Sequence, residues 1–163
     1  MLETDKICSR YAARRLSESN VDEILALCKG NPLFYQYCEA EMSGEQIIKD
    51  LQITPPGVDI SNKYYLGLYD EGRLVAVLDL IDGYPEEGIV FIGFFIVDIS
   101  VQGKGVGSRI IDSVAYYLTS IGKTLIRLGI DKGNPQSTSF WKKNGFVVTK
   151  EIEREGGIVL LAE

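Results

Sequence analysis

Three alternate glycines stand in the stretch Gln102-Gly103-Lys104-Gly105-Val106-Gly107-Ser108, between an apolar run and an amphipathic segment. Residues 89–99 are nearly all apolar, which predicts a strand buried on both faces. Apolar residues then recur at helical spacing over 110–121 and predict a long amphipathic helix. The glycines let the backbone approach a ligand and leave N–H groups at the helix N-terminus, while Lys104 and Arg109 add positive charge. The stretch therefore predicts an anion site for a phosphate or pyrophosphate.

Two nucleotide-binding patterns do not fit this stretch. A P-loop needs the spacing G-x-x-x-x-G-K-[ST], which does not occur in it. A dinucleotide-binding loop needs G-x-G-x-x-G, and counting from Gly103 gives Gly105 and then Ser108, so the third glycine is missing. The stretch also follows a predicted antiparallel meander, whereas a dinucleotide loop usually follows the first strand of its unit. Both nucleotide interpretations are therefore excluded.

The pattern on either side of the glycines predicts one mixed domain with the element order β-ααα-βββ-α-β-α-ββ. Asn31-Pro32 begins a short second helix through about Ala40, and Ser43 with Gln46 forms a capping-box pattern for the third. Asn134-Pro135 begins the last helix. The predicted strands cover residues 11–16, 64–69, 74–81, 89–99, 124–130, 146–152 and 158–161. We expect a mixed sheet with helices packed against it.

The composition is that of an ordinary soluble globular protein. The chain has 163 residues, of which 45% are hydrophobic and 25% charged, and its length matches one domain of roughly 150 residues. No apolar run is long enough to span a bilayer and no signal peptide stands at the start, so we expect a cytoplasmic protein without a membrane partner. Cys8, Cys28 and Cys38 are too widely spaced for a disulfide framework, and we expect reduced thiols.

The chain contains no histidine, which excludes several kinds of active site. A Ser-His-Asp or Cys-His nucleophile cannot be built, and neither can a histidine-ligated zinc or iron site. We therefore expect no metal. Any general base must be Asp, Glu, Lys, Tyr, a water molecule or a terminal amine.

The charge is unevenly distributed along the chain, whose net charge is −6. Residues 1–100 hold 17 acidic and 8 basic residues, whereas residues 101–163 hold 6 acidic and 9 basic residues. A basic C-terminal part favours an anionic ligand and an acidic N-terminal part favours a cationic one, although chance asymmetry of a solvated surface is an open alternative. So acidic a chain is not expected to bind nucleic acid.

Residues 102–107 match in full the pattern Q/R-x-x-G-x-G/A after a buried strand, and so resemble the acyl-CoA pyrophosphate loop of the GNAT-type N-acetyltransferases. Asn134, followed by Phe140-Trp141-Lys142-Lys143-Asn144-Gly145-Phe146, resembles the second cofactor segment of that family. The element order is also similar, and the resemblance runs from about residue 8 to 161. It implies a mostly antiparallel sheet of about six or seven strands, flanked by helices, in which a splayed strand pair holds acyl-CoA. It also implies a single domain over 1–163, with an acceptor-side part (about 1–62) and a CoA-binding core (about 63–161).

The resemblance implies roles for particular residues. The backbone of Phe95, Ile96 and Val97 would bond the pantetheine amides, and an N–H near Val97 would polarise the thioester carbonyl and hold the developing oxyanion. The glycine-stretch N–H groups would hold the pyrophosphate, and Asn134 would reach the cofactor arm, cap its helix, or do both. The expected cofactor contacts are Phe95, Ile96, Val97, Gln102, Gly103, Lys104, Gly105, Val106, Gly107, Ser108, Asn134 and Trp141.

One departure from the family concerns the acid. The family commonly has a tyrosine five residues before the Phe of Gly-Phe, where it protonates the departing thiolate, and here that residue is Trp141. An indole N–H donates a hydrogen bond but is no acid near neutral pH. Either Tyr84, on the loop before the central strand, replaces it, or solvent protonates the thiolate, because a thiol has a pKa of about 8.5. Trp141 could also be a core residue only.

A second departure concerns the base. Some members carry a glutamate five residues before Asn134, where this chain has Gly129. Asp98, which follows the proposed oxyanion strand, is the first candidate to take the proton of the attacking amine, directly or through water. Each candidate could instead be a solvated carboxylate or a helix cap. The other candidates are Asp79, Asp82, Glu39 and Glu41.

The resemblance implies an acetyl-CoA-dependent N-acetyltransferase, with acetyl-CoA as co-substrate and an amine as acceptor. The acetyl group would pass directly from the thioester to a primary amine of a small cationic metabolite such as a polyamine, of an aminoglycoside, or of a Lys side chain or N-terminus. The alternative is a CoA-binding module with weak or no transferase chemistry, which Trp141 and Gly129 motivate. O-acylation, a longer acyl group and a purely structural protein also stay open, as does a homodimer, which many family members form.

Overall fold

One sheet of seven strands runs through the protein in the spatial order β1-β2-β3-β4-β5-β7-β6. The structure, a computed structural model, describes residues 1–36 and 42–163, without the side chains of residues 34 and 35. The strands are β1 Ala12–Arg15, β2 Lys63–Asp70, β3 Arg73–Asp82, β4 Ile89–Val97, β5 Leu125–Asp131, β6 Val148–Arg154 and β7 Gly157–Ala162. Five of the six pairings are antiparallel and β4 with β5 is parallel. The predicted mostly antiparallel mixed sheet is confirmed.

Five α-helices accompany the sheet in the described part of the chain. They are α1 Val21–Lys29, α2 Pro32–Tyr35, α3 Gly44–Gln52, α4 Val106–Ser120 and α5 Pro135–Lys143. The element order matches the predicted one. The second helix ends at Tyr35 rather than near Ala40, which lies outside the described residues. No helix that the structure describes is long and apolar enough to cross a membrane.

The capping box predicted for α3 is only half formed. The Ser43 hydroxyl accepts the Gln46 N–H at 3.1 Å, as a Ser N-cap should. The Gln46 side chain does not return to the cap, and its amide donates instead to Asp50 Oδ1 at 2.8 Å, one helical turn further on. Gln46 therefore orients a carboxylate near the C-terminal end of α3.

Alternation of side chains along the strands divides the core into two clusters. Tyr64, Leu66 and Leu68 of β2 belong to the cluster that also contains buried residues of α4 and α5. Tyr65 and Tyr69 of the same strand belong to the cluster that contains buried residues of α1 and α3. The sheet therefore carries helices packed against both of its faces.

Candidate functional site

The parallel pairing between β4 and β5 ends halfway along the strands. Paired residues run from Ile89 with Leu125 to Ile92 with Leu128, whereas β4 continues to Val97 and β5 to Asp131. A register shift lies at this point of β4, where Asp79 of β3 pairs with Phe94 and Leu80 with Ile92, so that Gly93 is an extra residue. The bulge and the end of the pairing open a gap between the two strands.

The end of β4 turns backbone groups toward this gap. The Asp98 N–H donates to a β3 carbonyl at 2.9 Å, and because backbone direction alternates along a strand, Val97 and Phe95 face away from β3. The Gln102 amide agrees with this direction, since it donates to the Val97 carbonyl at 2.8 Å. Ile96 has the opposite direction, toward β3. The N–H and carbonyl of Ile96 are therefore directed into the sheet, and the backbone contact expected of Ile96 stays a prediction.

The glycine stretch forms a turn that exposes the N-terminus of α4. Gly103 and Gly105 have φ angles of 70° and 74°, which favour glycine. The first helical bond is Arg109 N–H to the Gly105 carbonyl at 3.1 Å, so the N–H groups of the three residues before Arg109 have no partner within the helix. A Cβ at Gly105 would lie 2.9 Å from Arg109 Nη1, which places a guanidinium beside the turn. The turn and this cation together suit an anion.

A cavity, which we call the loop cavity, lies between this turn, the end of β4 and the start of α5. It brings together eleven of the twelve residues expected to contact the cofactor. The exception is Lys104, which is exposed and whose Nζ donates to the Ser100 carbonyl at 3.0 Å. Gly107 is buried and closely packed against α5, since a Cβ at this position would lie 3.0 Å from the Phe140 ring.

Three polar side chains of the loop cavity already have structural partners. The Gln102 amide bridges the Val97 carbonyl and Asn31 Oδ1, and the Asn31 amide in turn donates to the Leu27 carbonyl at 3.0 Å. Asn134 caps α5, since its Oδ1 accepts the Ser137 N–H at 3.0 Å. The side-chain oxygens of Asn31 and Asn134 therefore already accept hydrogen bonds within the protein. The amide N–H groups of Asn134 donate to no partner among the described residues.

A second cavity, which we call the α3 cavity, adjoins the first. It is lined by α3, by the bulged part of β4 and by β5 and its neighbours. Phe95, Asn134, Ser137 and Trp141 line both cavities, so the two meet beside the gap between β4 and β5. Gly129, where a glutamate was noted as absent, lines the α3 cavity and packs against Val159.

Trp141 is a buried wall between the cavities. It is 7% exposed and packs against the rings of Phe95, Phe140 and Phe146 at centroid distances of 5.9, 5.0 and 4.9 Å. Trp141 is therefore a core residue. Because it also lines both cavities, its expected contact with the cofactor stays a prediction.

The α3 cavity has a charged group beside it. Lys63 Nζ and Asp79 Oδ2 are 2.6 Å apart, and both side chains are almost fully buried. Burial raises the pKa of Asp79 to about 6, although Lys63 opposes this effect. Asp50 lines the cavity, and burial raises the pKa of its carboxyl too, against the Gln46 hydrogen bond and the Lys63 charge. Asp79 Oδ1 is buried and accepts no hydrogen bond from the residues that the structure describes.

The residues expected to act as acid and base lie elsewhere. Burial alone would raise the pKa of Asp98, but hydrogen bonds from Ser100 and the charge of Arg73, 2.8 Å away, outweigh burial and lower it. Asp98 lines neither cavity, and neither does Tyr84, whose ring packs edge-on against Phe91. Both roles stay predictions.

Two further groups of base candidates can be placed. Asp82 pairs with Lys123 and lies 3.9 Å from the N-terminal amine, at the far end of β3. Glu39 and Glu41 lie outside the described residues. Within residues 1–36 and 42–163, no three His, Cys, Asp or Glu side chains are grouped so that they could hold a metal ion.

Sequence reasoning missed Asp50, Asn31 and Gly93 as site residues. In the sequence, each of these residues has an ordinary structural role. Asp50 lies near the end of a helix, Asn31 at the start of a helix, and Gly93 in a buried strand. The one signal available was a glycine inside the apolar run 89–99, since an isolated glycine in a strand suggests a bulge or a close approach.

Comparisons with known proteins agree on one family. Residues 31–146 match the Acetyltransferase (GNAT) family. The spermine/spermidine N(1)-acetyltransferase of Bacillus subtilis is 32% identical over 108 residues, and the match covers 61% of this chain and 71% of that protein.

Solved structures with low sequence identity share the fold. A crystal structure of an acetyltransferase from Thermus thermophilus has a TM-score of 0.74 at 18% identity and covers 92% of this chain and 93% of its own. PaiA N-acetyltransferase from Thermoplasma acidophilum, in complex with coenzyme A, has a TM-score of 0.65 at 15% identity, with 91% and 96% covered.

Proposed function

This chain belongs to the acetyltransferase (GNAT) family, and from that premise we propose that it transfers an acetyl group from acetyl-CoA to a primary amine of a small cationic molecule. The observation that carries the proposal is the meeting of two cavities at the gap between β4 and β5. One offers N–H groups and a guanidinium to an anionic ligand, and the other offers carboxylates to a cation. Acetyl transfer between a CoA thioester and an amine needs both.

The loop cavity has the features that acetyl-CoA requires. The N–H groups at the start of α4 and the Arg109 guanidinium would bind the pyrophosphate. Arg109 Nε supports this role, because it is buried and has no hydrogen-bond partner in the described part of the protein. The edge of Phe95 and Val97 would bond the pantetheine amides, and the rings of Phe140 and Trp141 would provide an apolar wall.

The chain's own groups would then assist the transfer in a ternary complex. A Val97 N–H that faces the gap is a donor for the oxygen on which negative charge develops, a contribution of several kcal/mol in enzymes generally. Acetyl-CoA supplies the activated acyl group. A cysteine nucleophile is not required, and the two cysteines within the described residues, Cys8 and Cys28, are buried and line neither cavity.

A polyamine is the acceptor that we propose. The matched Bacillus subtilis protein is named as a spermine/spermidine N(1)-acetyltransferase, which supports this class. In the α3 cavity, Asp131 pairs with Arg154 at 2.5 Å, and beside it Lys63 pairs with Asp79 at 2.6 Å. With the Asp50 carboxylate, these five described side chains carry a net charge of −1. A net negative cavity favours a cationic amine.

The test is the release of free thiol from acetyl-CoA in the presence of spermidine, spermine, an aminoglycoside or a lysine-containing peptide. We expect turnover with the polyamines and slower or no turnover with the others. Turnover only with the peptide would keep the enzyme and overturn the polyamine assignment.

The second candidate function is a CoA-binding module without transferase chemistry. It is favoured by Trp141 at the position where the family commonly has a tyrosine, and by Gly129 where some members have a glutamate. Stabilisation by acetyl-CoA without thiol release on any amine would establish this alternative.

A further inference from the structure

We propose that Asp79, whose carboxylate lies directly behind Gly93 of the α3 cavity lining, accepts the proton that the acceptor amine must lose, and that Asp50 holds the ammonium group in that cavity. This inference rests on the proposed function and adds the groups that would make the amine nucleophilic. It differs from the sequence-based first candidate, Asp98.

The position of Asp79 follows from the bulge in β4. A Cβ at residue 93 would lie 2.7 Å from Asp79 Oδ2, so the carboxylate occupies the space that a side chain at 93 would take. Gly93 is exposed and lines the α3 cavity, as does Phe94, the direct β4 partner of Asp79. The absence of a side chain at 93 therefore leaves only the Gly93 backbone between a buried carboxylate and the cavity.

Asp79 retains capacity to accept a proton. Its Oδ2 is bonded to Lys63 at 2.6 Å, but its Oδ1 is buried and unpartnered among the described residues. A buried oxygen without a donor is unusual in a folded protein and calls for an explanation. A proton or an N–H group of a bound amine would satisfy it.

Asp50 adds a second carboxylate to the charged side chains around Asp79. Its carboxylate lines the cavity, and the Gln46 amide fixes Oδ1, which leaves Oδ2 for a ligand. The titratable groups that face Asp79 are Lys63 and Tyr65 of β2 and Asp50 of α3, and burial raises the pKa of Tyr65 well above its usual range. With Tyr65 neutral, Lys63, Asp79 and Asp50 carry a net charge of −1.

The proton transfer conserves charge in the site. The ammonium group gives one proton to Asp79, which becomes a neutral carboxyl, and the nitrogen gains the lone pair that attacks the thioester carbon. The N–C bond forms and the C–S bond breaks, with its electron pair on the sulfur. The nitrogen then loses a second proton, so that one proton ends on the thiolate and one, through Asp79, in solvent. A raised carboxyl pKa near neutrality suits such a base.

The test compares the wild-type protein with Asp79→Asn in thiol release from acetyl-CoA with spermidine, from pH 6 to 9. We expect kcat/KM of the variant to fall at least about 100-fold at pH 7, within the range that general bases contribute. It should then recover about tenfold per pH unit, because the variant must use amine that is already neutral. The thermal shift caused by acetyl-CoA should not change.

Asp82→Asn is the matched control, since Asp82 is another buried aspartate of β3, paired with Lys123 away from both cavities. We expect its kcat/KM to stay within about threefold of wild type. Should Asp79→Asn fail to fold because Lys63 loses its partner, the double variant Lys63→Met/Asp79→Asn removes both charges and should show the same loss and the same recovery with pH.

Turnover within about threefold of wild type at pH 7 in either variant that folds would overturn the role of Asp79. A loss that does not recover with pH would overturn it as well. If acetyl-CoA stabilises the wild-type protein but no amine releases thiol, the proposed function itself fails. That outcome differs from one in which the wild type and Asp79→Asn are equally active, which overturns only the role of Asp79.

Discussion

The loop cavity and the α3 cavity adjoin each other but are built in different ways. The loop cavity is lined by aromatic rings and by six of the seven residues of one continuous turn, residues 102–108. The α3 cavity is lined by charged side chains from α3, β5 and β6, namely Asp50, Asp131 and Arg154, and the buried pair Lys63 and Asp79 lies beside it.

The difference has a physical origin. A phosphate group can be held by N–H groups at a helix start, which any sequence that folds into that turn provides. A cationic amine needs carboxylates at fixed positions, and a buried carboxylate is tolerated only where other side chains compensate it. One cavity is therefore determined locally and the other by the whole fold.

The largest effect should come from the wall that both cavities share. Trp141→Ala removes a buried ring that packs against three aromatic rings, and we expect a loss of about 3–5 kcal/mol of unfolding free energy. Denaturant unfolding measures it, with Tyr116→Ala as control, because Tyr116 is 80% exposed. A loss below about 1 kcal/mol would show that the wall is not close-packed.

The second largest effect should come from a change confined to the loop cavity. Gly105→Glu places a carboxylate at the turn, and we expect acetyl-CoA affinity to fall about 1000-fold, or about 4 kcal/mol, with the fold intact. Titration calorimetry measures the affinity. Gly57→Glu is the matched control, since Gly57 also has a positive φ, 81°, and no atom of the described residues lies within 4 Å of its Cβ position. Unchanged affinity in Gly105→Glu would remove the loop from the binding site.

The third prediction concerns the α3 cavity and pH. The pKa of Asp79 is raised to about 6 in the folded protein from 3.8, so the folded state binds this proton more tightly. The resulting stabilisation is complete below pH about 4 and is lost as pH rises through 6. The unfolding free energy of the wild type, relative to that of Asp79→Asn, should therefore decrease by about 2 kcal/mol from pH 4 to 7. A difference independent of pH in denaturant unfolding would contradict the shift.

The smallest effect should come from Asp98, which lines neither cavity. Asp98→Asn should change spermidine turnover by less than about threefold, because its carboxylate is held by Arg73 and Ser100. Steady-state thiol release at pH 7 measures it. A fall of about 100-fold with acetyl-CoA binding preserved would make Asp98, the first candidate from sequence, the base in place of Asp79.

Local patterns made the fold and the loop cavity predictable. The glycine stretch, the apolar run before it and the cap at Asn134 each act within a few residues, and eleven of twelve expected cofactor contacts line one cavity. The backbone direction of Ile96 could not be predicted in this way, because it depends on which partner strand the residue bonds. That information lies in the pairing register with β3 and not in the residue type.

The acceptor side could not be predicted in the same way. Asp79 is in sequence one polar residue in a buried strand, and only the bulge at Gly93 and the pairing with Lys63 show where its carboxylate lies. Asp50 looks like an ordinary solvated helix residue until α3 is placed over the sheet. Such positions depend on contacts between elements that are distant along the chain.

The most direct measurement is the melting temperature of the wild-type protein with and without saturating acetyl-CoA. At about 100 times the dissociation constant, a ligand adds about 2.7 kcal/mol, which for a domain of this size raises the melting temperature by roughly 5–11 °C. We predict a rise in that range, and a loss of the rise in Gly105→Glu. No rise at saturating acetyl-CoA would contradict the assignment of the loop cavity and, with it, the proposed transferase reaction.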